Sequence, residues 1–158
     1  FDCLEQLEKL DISMNAIKTL KEGDFLKLKR LKWLDLSYNP ISELGSNVFQ
    51  GLSNLEVLFL NKIPDKIKRI EKDTFNGLAN LKELYLNNNY MESIDSEAFK
   101  HTPKLTKLDI SNNELKLEEN IFANLKNLKT IRICKRQLEH INKELLESLQ
   151  KSNIEIVN

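Results

Sequence analysis

The side chains able to do chemistry here are three aspartates, two histidines, two cysteines and one basic cluster. Asp11, Asp35 and Asp109 share one position of a recurring leucine pattern. Asp11 and Asp35 would be neighbours on a sheet, where paired carboxylates can hold a cation or share a proton. Beside Lys9 and Lys107 the same aspartates also read as solvated surface groups. His101 and His140 stand singly, with no Cys, His or carboxylate at recurring metal spacing, and read as solvated surface. Cys3 and Cys134 lie at opposite ends of the chain and form neither a disulfide framework nor a metal motif. Lys129, Arg132, Lys135 and Arg136 cluster near the C-terminal end, a charge that would attract an acidic partner or simply be solvated. Neither GxGxxG nor GxxxxGK[ST] occurs, and no nucleophile has a base in evidence. The expectation is a chain that is not an enzyme and carries no cofactor and no metal.

The totals narrow the classes further. The chain of 158 residues is about one domain, with 24 basic side chains against 24 acidic ones. That balance gives no reason to expect nucleic acid or an anionic membrane surface. No apolar run approaches the roughly 18 residues of a membrane helix, so no direct membrane insertion is expected of this segment.

What must position these side chains is a repeat. "LEKLDISMNAIKTLKEGDFLKLKR" (7–30) aligns without a gap on "LKWLDLSYNPISELGSNVFQGLSN" (31–54), and four more units follow at 55–80, 81–104, 105–127 and 128–151. The shared template is LxxLxLxxNxIxxLxxxxFxxLxx. LxL has the period of two of a short strand with leucines on one face. The asparagine at position nine suits a turn where the strand ends. Later apolar positions send further groups inward, and Phe25, Phe49, Phe75, Phe99 and Phe122 hold position 19, with Leu146 there in the sixth unit. One unit cannot bury so much apolar surface, whereas stacked units cover one another and pair their strands about 4.8 Å apart.

The template resembles the leucine-rich repeats, in particular the 24-residue "typical" subtype of animal extracellular proteins such as Toll-like receptors, Slit-type guidance proteins and small matrix proteoglycans. The resemblance covers essentially the whole chain. It implies an α/β solenoid: a horseshoe with a parallel concave β-sheet, a mostly irregular or short helical convex side, and partners often bound on the concave face. An extracellular or cell-surface home follows from the resemblance, although no signal peptide, Asn-x-Ser/Thr sequon or cysteine-rich cap is present.

The chain reads as a single array over 1–158, with a partial repeat at 1–6 and a terminal strand at 152–158, and as a fragment of a longer array. Cys3 cannot reach Cys134, because five repeats at about 4.8 Å each exceed the Cα limit near 7 Å. Repeat three has two extra residues and Ile63 at its Asn position, so "NKIPDKIKR" is expected to bulge from the edge. Repeat six has Arg136 at that position.

Positions 2, 3, 5, 7 and 8 are expected on the concave face. Large apolar residues gather there in repeats two to four: Trp33, Tyr38, Val57, Phe59 and Tyr85. Lys82, Lys107, Asp11, Asp35 and Asp109 supply charge around them. Cross-strand packing would account for part of this patch. A patch of Trp and Tyr rimmed by charge is also what a protein-binding surface offers. The function read from the sequence is non-catalytic recognition of a protein ligand or receptor partner, of receptor, innate-immune or adhesion type. The alternative is a structural or assembly protein that self-associates, as a homodimer for example, through the concave face or the uncapped solenoid ends.

Overall fold

In the central units position four is buried between two half-exposed neighbours, and that alternation makes the strand. In the computed structural model, which describes residues 4–63, 67–117, 120–139, 141–152 and 154–157, the strands occupy positions three to five of successive repeats. They are β1 (Lys9–Asp11), β2 (Trp33–Asp35), β3 (Val57–Phe59), β5 (Glu83–Tyr85), β7 (Lys107–Asp109), β8 (Thr130–Arg132) and β9 (Glu155–Val157). Among the described residues these form one seven-stranded sheet, in the order β1-β2-β3-β5-β7-β8-β9. Every pair is parallel and in register, Leu10 with Leu34, Leu34 with Leu58, Leu58 with Leu84 and onward to Ile156. An unshifted register across the whole sheet is the direct consequence of near-constant repeat length. Phe1, Cys3, His140 and residues 64–66 of the "NKIPDKIKR" segment lie outside the described residues.

The descending side is built from turns, with a second, two-stranded parallel sheet of β4 (Arg69–Ile70) and β6 (Ser93–Ile94) and a 3-10 turn at Ala98–His101. In the sixth unit it becomes helical, as α1 (Lys135–Glu139) and α2 (Lys143–Lys151). The core runs between the two sides. Phe25, Phe49, Phe75, Phe99 and Phe122 stack in one column with ring centroids 6.0–6.5 Å apart. The sixth unit departs from the template here: Leu146 is only half-buried, while Leu145 and Leu149 are fully buried. Helical spacing puts i and i+4 on one face, and Asn142 caps the helix by accepting from the Leu145 amide at 2.7 Å.

Coils approach closely where glycine permits it. A Cβ at Gly51, whose φ is +98°, would lie 2.5 Å from Leu26 Cα and 2.6 Å from the Phe25 carbonyl oxygen. No side chain fits there.

A buried amide ladder ties the ascending edge together. Asn39 donates to the carbonyls of Ile12 and Leu36, each at 2.9 Å, and accepts from Ile17 N. Asn89 does the same for Leu60, Leu86 and Ile63, and Asn113 for Leu86, Ile110 and Met91. In repeat six the ladder is kept one residue later: Gln137 accepts from Cys134 N and donates to Ile110 O at 3.2 Å. Its extra methylene makes up for the shift, and it is buried. A second ladder at the ends of repeats joins Asn54 to Lys29 O, Asn80 to Ser53 O and Asn127 to Pro103 O.

Candidate functional site

The concave face carries an aromatic stack at its centre. Trp33, Phe59 and Tyr85 sit on β2, β3 and β5 at strand positions that point away from the leucine core, and all three are half-buried. Parallel pairing places Phe59 directly beside Tyr85 and Trp33 diagonally from Phe59. The Phe59 and Tyr85 rings lie parallel, 4.4 Å apart with an interplanar angle of 3°. Trp33 tilts against Phe59 at 5.3 Å. Lys9 caps the Trp33 ring at 4.2 Å and Lys107 caps Tyr85 at 5.1 Å. The result is a five-member column across β1, β2, β3, β5 and β7. Phe59 and Tyr85 cover one face of each other, Lys9 and Lys107 cap the outer sides of Trp33 and Tyr85, and Trp33 meets Phe59 at a tilt of 53°. Val57 packs into the same strand row as Trp33.

Charge is arranged around this column. Tyr85 donates to Glu83 at 2.5 Å, and Glu83 lies 3.6 Å from Lys107. Burial, then the bond to Glu83, pushes the Tyr85 phenol up. The hydrogen bond to Tyr85 pushes the Lys107 ammonium up. Lys82 pairs with Glu56 at 2.8 Å on the neighbouring row, which holds the Glu56 carboxyl below the usual range. Lys32 pairs with Glu8 in the same way at 2.9 Å.

The three aspartates have local work. Asp11 accepts from the amide and hydroxyl of Ser13, Asp35 from the Ser37 amide, and Asp109 from the amide and hydroxyl of Ser111. Each carboxylate caps the turn that ends its own strand. Asp109 is 5% exposed, with Arg132 at 3.9 Å, and so departs from the solvated position expected of it. The Ser13 bonds hold the Asp11 carboxyl low. His101 also differs from a simply solvated group: its Nε2 lies 3.2 Å from Asp73 Oδ1, which Lys100 approaches at 3.1 Å. Of the basic cluster, Lys135 and Arg136 belong to α1 and not to the sheet. Among the described residues no three His, Cys, Asp or Glu side chains are grouped to hold a metal.

Tyr38 stands at a different place from the other aromatics. It lies in the turn after β2 with φ +58°, and its hydroxyl accepts from Lys62 Nζ at 2.6 Å. Lys9 is a neighbour of the stack that the aromatic pattern alone does not mark. Its signal is that Lys9 and Lys107 occupy the same repeat position as Trp33, on either side of the aromatic run.

Residues 60–158 match a family described as "BspA type Leucine rich repeat region (6 copies)", and residues 5–62 match "Leucine rich repeat". The chain belongs to the leucine-rich repeat family. It is similar to a solved structure described as "Crystal structure of TLR13-ssRNA13 complex", at 30% identity and a TM-score of 0.69, over 77% of this chain and 17% of that one. The chain thus spans a small part of that protein's length. Comparison with curated proteins finds no match. Family and neighbour together support an interaction module of a typically non-enzymatic kind.

Proposed function

We propose that this solenoid recognises a protein partner on its concave face, through the edges of the Trp33–Phe59–Tyr85 stack. The setting is a receptor of innate-immune or adhesion type, outside the cell or at its surface. The observation that carries the reading is the stack itself: three large rings on neighbouring strands, Phe59 and Tyr85 in register and Trp33 diagonal to Phe59, half-exposed, with ion pairs around them. Trp and Tyr in such a surround are the residues that dominate protein interfaces. Val57, Asp11, Asp35, Lys82 and Lys107 form the rim, and Asp109 lies beside Tyr85 on the next strand.

A single-stranded nucleic acid is the second reading, favoured by the ssRNA in the similar complex. Sequence-tolerant binding of single strands relies on bases stacking on open ring faces. Here Phe59 and Tyr85 already stack on each other, and a base stacking on the outer side of Trp33 or Tyr85 would have to displace Lys9 or Lys107.

The test is retention of partners from extracellular fluid on the immobilised chain, beside titration with oligouridylate. Trp33→Ala and Phe59→Ala should each weaken a retained protein at least about thirtyfold, as a hot spot of 2 kcal/mol implies. Their melting should stay cooperative. Unchanged retention by both variants would sink the proposal. Oligouridylate binding lost in both variants would establish the second reading instead, and light scattering that rises with concentration in the wild type alone would mark a second copy as the partner.

A further inference from the structure

The fold forces the residue at position eight into the left-handed region. Met14, Tyr38, Lys62, Asn88 and Asn112 all show φ between +54° and +61°. Asn tolerates this conformation, whereas large side chains adopt it only under strain. Repeats four and five place Asn there. Repeats one to three carry Met14, Tyr38 and Lys62, and repeat four adds Tyr90 two positions later at φ +57°. The aromatics among these are far from buried: Tyr38 is 45% exposed and Tyr90 53%. Core packing therefore does not explain them, and strain of this kind collects where a surface has a job.

Tyr38, Lys62, Ile63, Asn88, Tyr90 and Asn112 line one open recess of about 400 Å³ on the ascending edge, away from the concave stack. Its chemistry is that of a binding loop: rigid phenols, carboxamides and one ammonium held against the Tyr38 hydroxyl at 2.6 Å and 5.0 Å from its ring centroid. Among the described residues lining the recess, Lys62 carries the charge, and that charge is positive. We infer that this recess is a second recognition site, for a protein segment that presents a carboxylate side chain to Lys62 between the two tyrosines. It stands independently of the concave site.

The test is an amide-resolved NMR titration of the whole chain with two capped peptides, acetyl-Gly-Ser-Leu-Glu-Leu-Ser-Gly-amide and its Gln counterpart, and separately with inorganic phosphate. The Glu peptide should shift the amides of residues 62, 88 and 112 and bind at least fivefold tighter than the Gln peptide. Lys62→Asn and Tyr90→Asn should abolish those shifts and raise the melting temperature by about 2 °C each as strain is released. Trp33→Ala should leave the peptide shifts unchanged, so failure at either site is read separately. The inference is overturned if the shifts fall elsewhere, if the Gln peptide or phosphate does as well, or if the Asn variants lower the melting temperature.

Discussion

Replacing Asn113 by Ala tests whether the buried amide ladder holds the coils in register. Asn113 Oδ1 accepts from Asn89 N at 3.1 Å and from Met91 N at 3.0 Å. Its Nδ2 donates to Leu86 O and Ile110 O at 2.9 and 3.0 Å. These two carbonyls keep second donors in the variant, because Asn89 Nδ2 also reaches Leu86 O and Gln137 Nε2 reaches Ile110 O. The two amides lose their bond to Asn113, and Asn89 and Met91 are fully buried. An unsatisfied buried donor costs about 1–3 kcal/mol, so Asn113→Ala should cost about 2–6 kcal/mol. Against a total of roughly 5–15 kcal/mol, that is enough to loosen the adjoining coils or unfold the chain. Since each coil contacts only its neighbours, the damage should centre on repeats four and five. Urea unfolding gives the free energy, and hydrogen exchange should show lost protection at the amides of residues 89 and 91. A loss below about 1 kcal/mol with both amides still protected would refute the ladder argument, because water would then be serving in place of the side chain.

Three further outcomes follow from the same geometry. Gln137→Ala should cost about 1–2 kcal/mol in urea unfolding by stranding the Cys134 amide, since the Ile110 carbonyl keeps Asn113 as a donor. Gly51→Ala should cost more than about 2 kcal/mol, through its positive φ and the backbone of residues 25 and 26. Gly45→Ala, with nothing within 4 Å of the added Cβ, should be neutral or stabilising by up to about 1 kcal/mol, and thermal melts of the two variants compare them directly. Asp11, Glu56 and Asp73 are held below their ordinary values, by Ser13, by Lys82, and by Lys100 with His101. Carboxyls depressed in the folded state stabilise fully above their unfolded values, near pH 4, and that share is lost as pH falls through the folded ones. The urea midpoint should therefore drop from about pH 4 downward, and Asp73→Asn should flatten that limb; an unaltered limb would show that the Asp73 pairs do not contribute.

Repetition made much of the fold legible in advance. The phase of LxxLxLxxN places the strands of the seven-stranded sheet, because period-two burial and near-constant repeat length leave one parallel register, but it does not announce β4 and β6 on the other side. The phenylalanine column and the Asn ladder followed from the same phase, and so did the lateral order of Trp33, Val57, Phe59 and Tyr85. Three-dimensional contact decided the rest. Arg136 sits at the ladder position, yet Gln137 fills the role, because reach and not alignment selects the donor. Leu145 and Leu149 displace Leu146 from the core once that segment becomes helical. Asp109 is buried inside the sheet, while Asp11, with the same two serine bonds on the edge strand, is exposed. The capping of Trp33 by Lys9 and of Tyr85 by Lys107, and the left-handed column that sets Tyr38 on a separate edge, depend on side-chain orientation and backbone φ. A repeat pattern fixes which residues are neighbours; only the folded chain determines which way their faces turn.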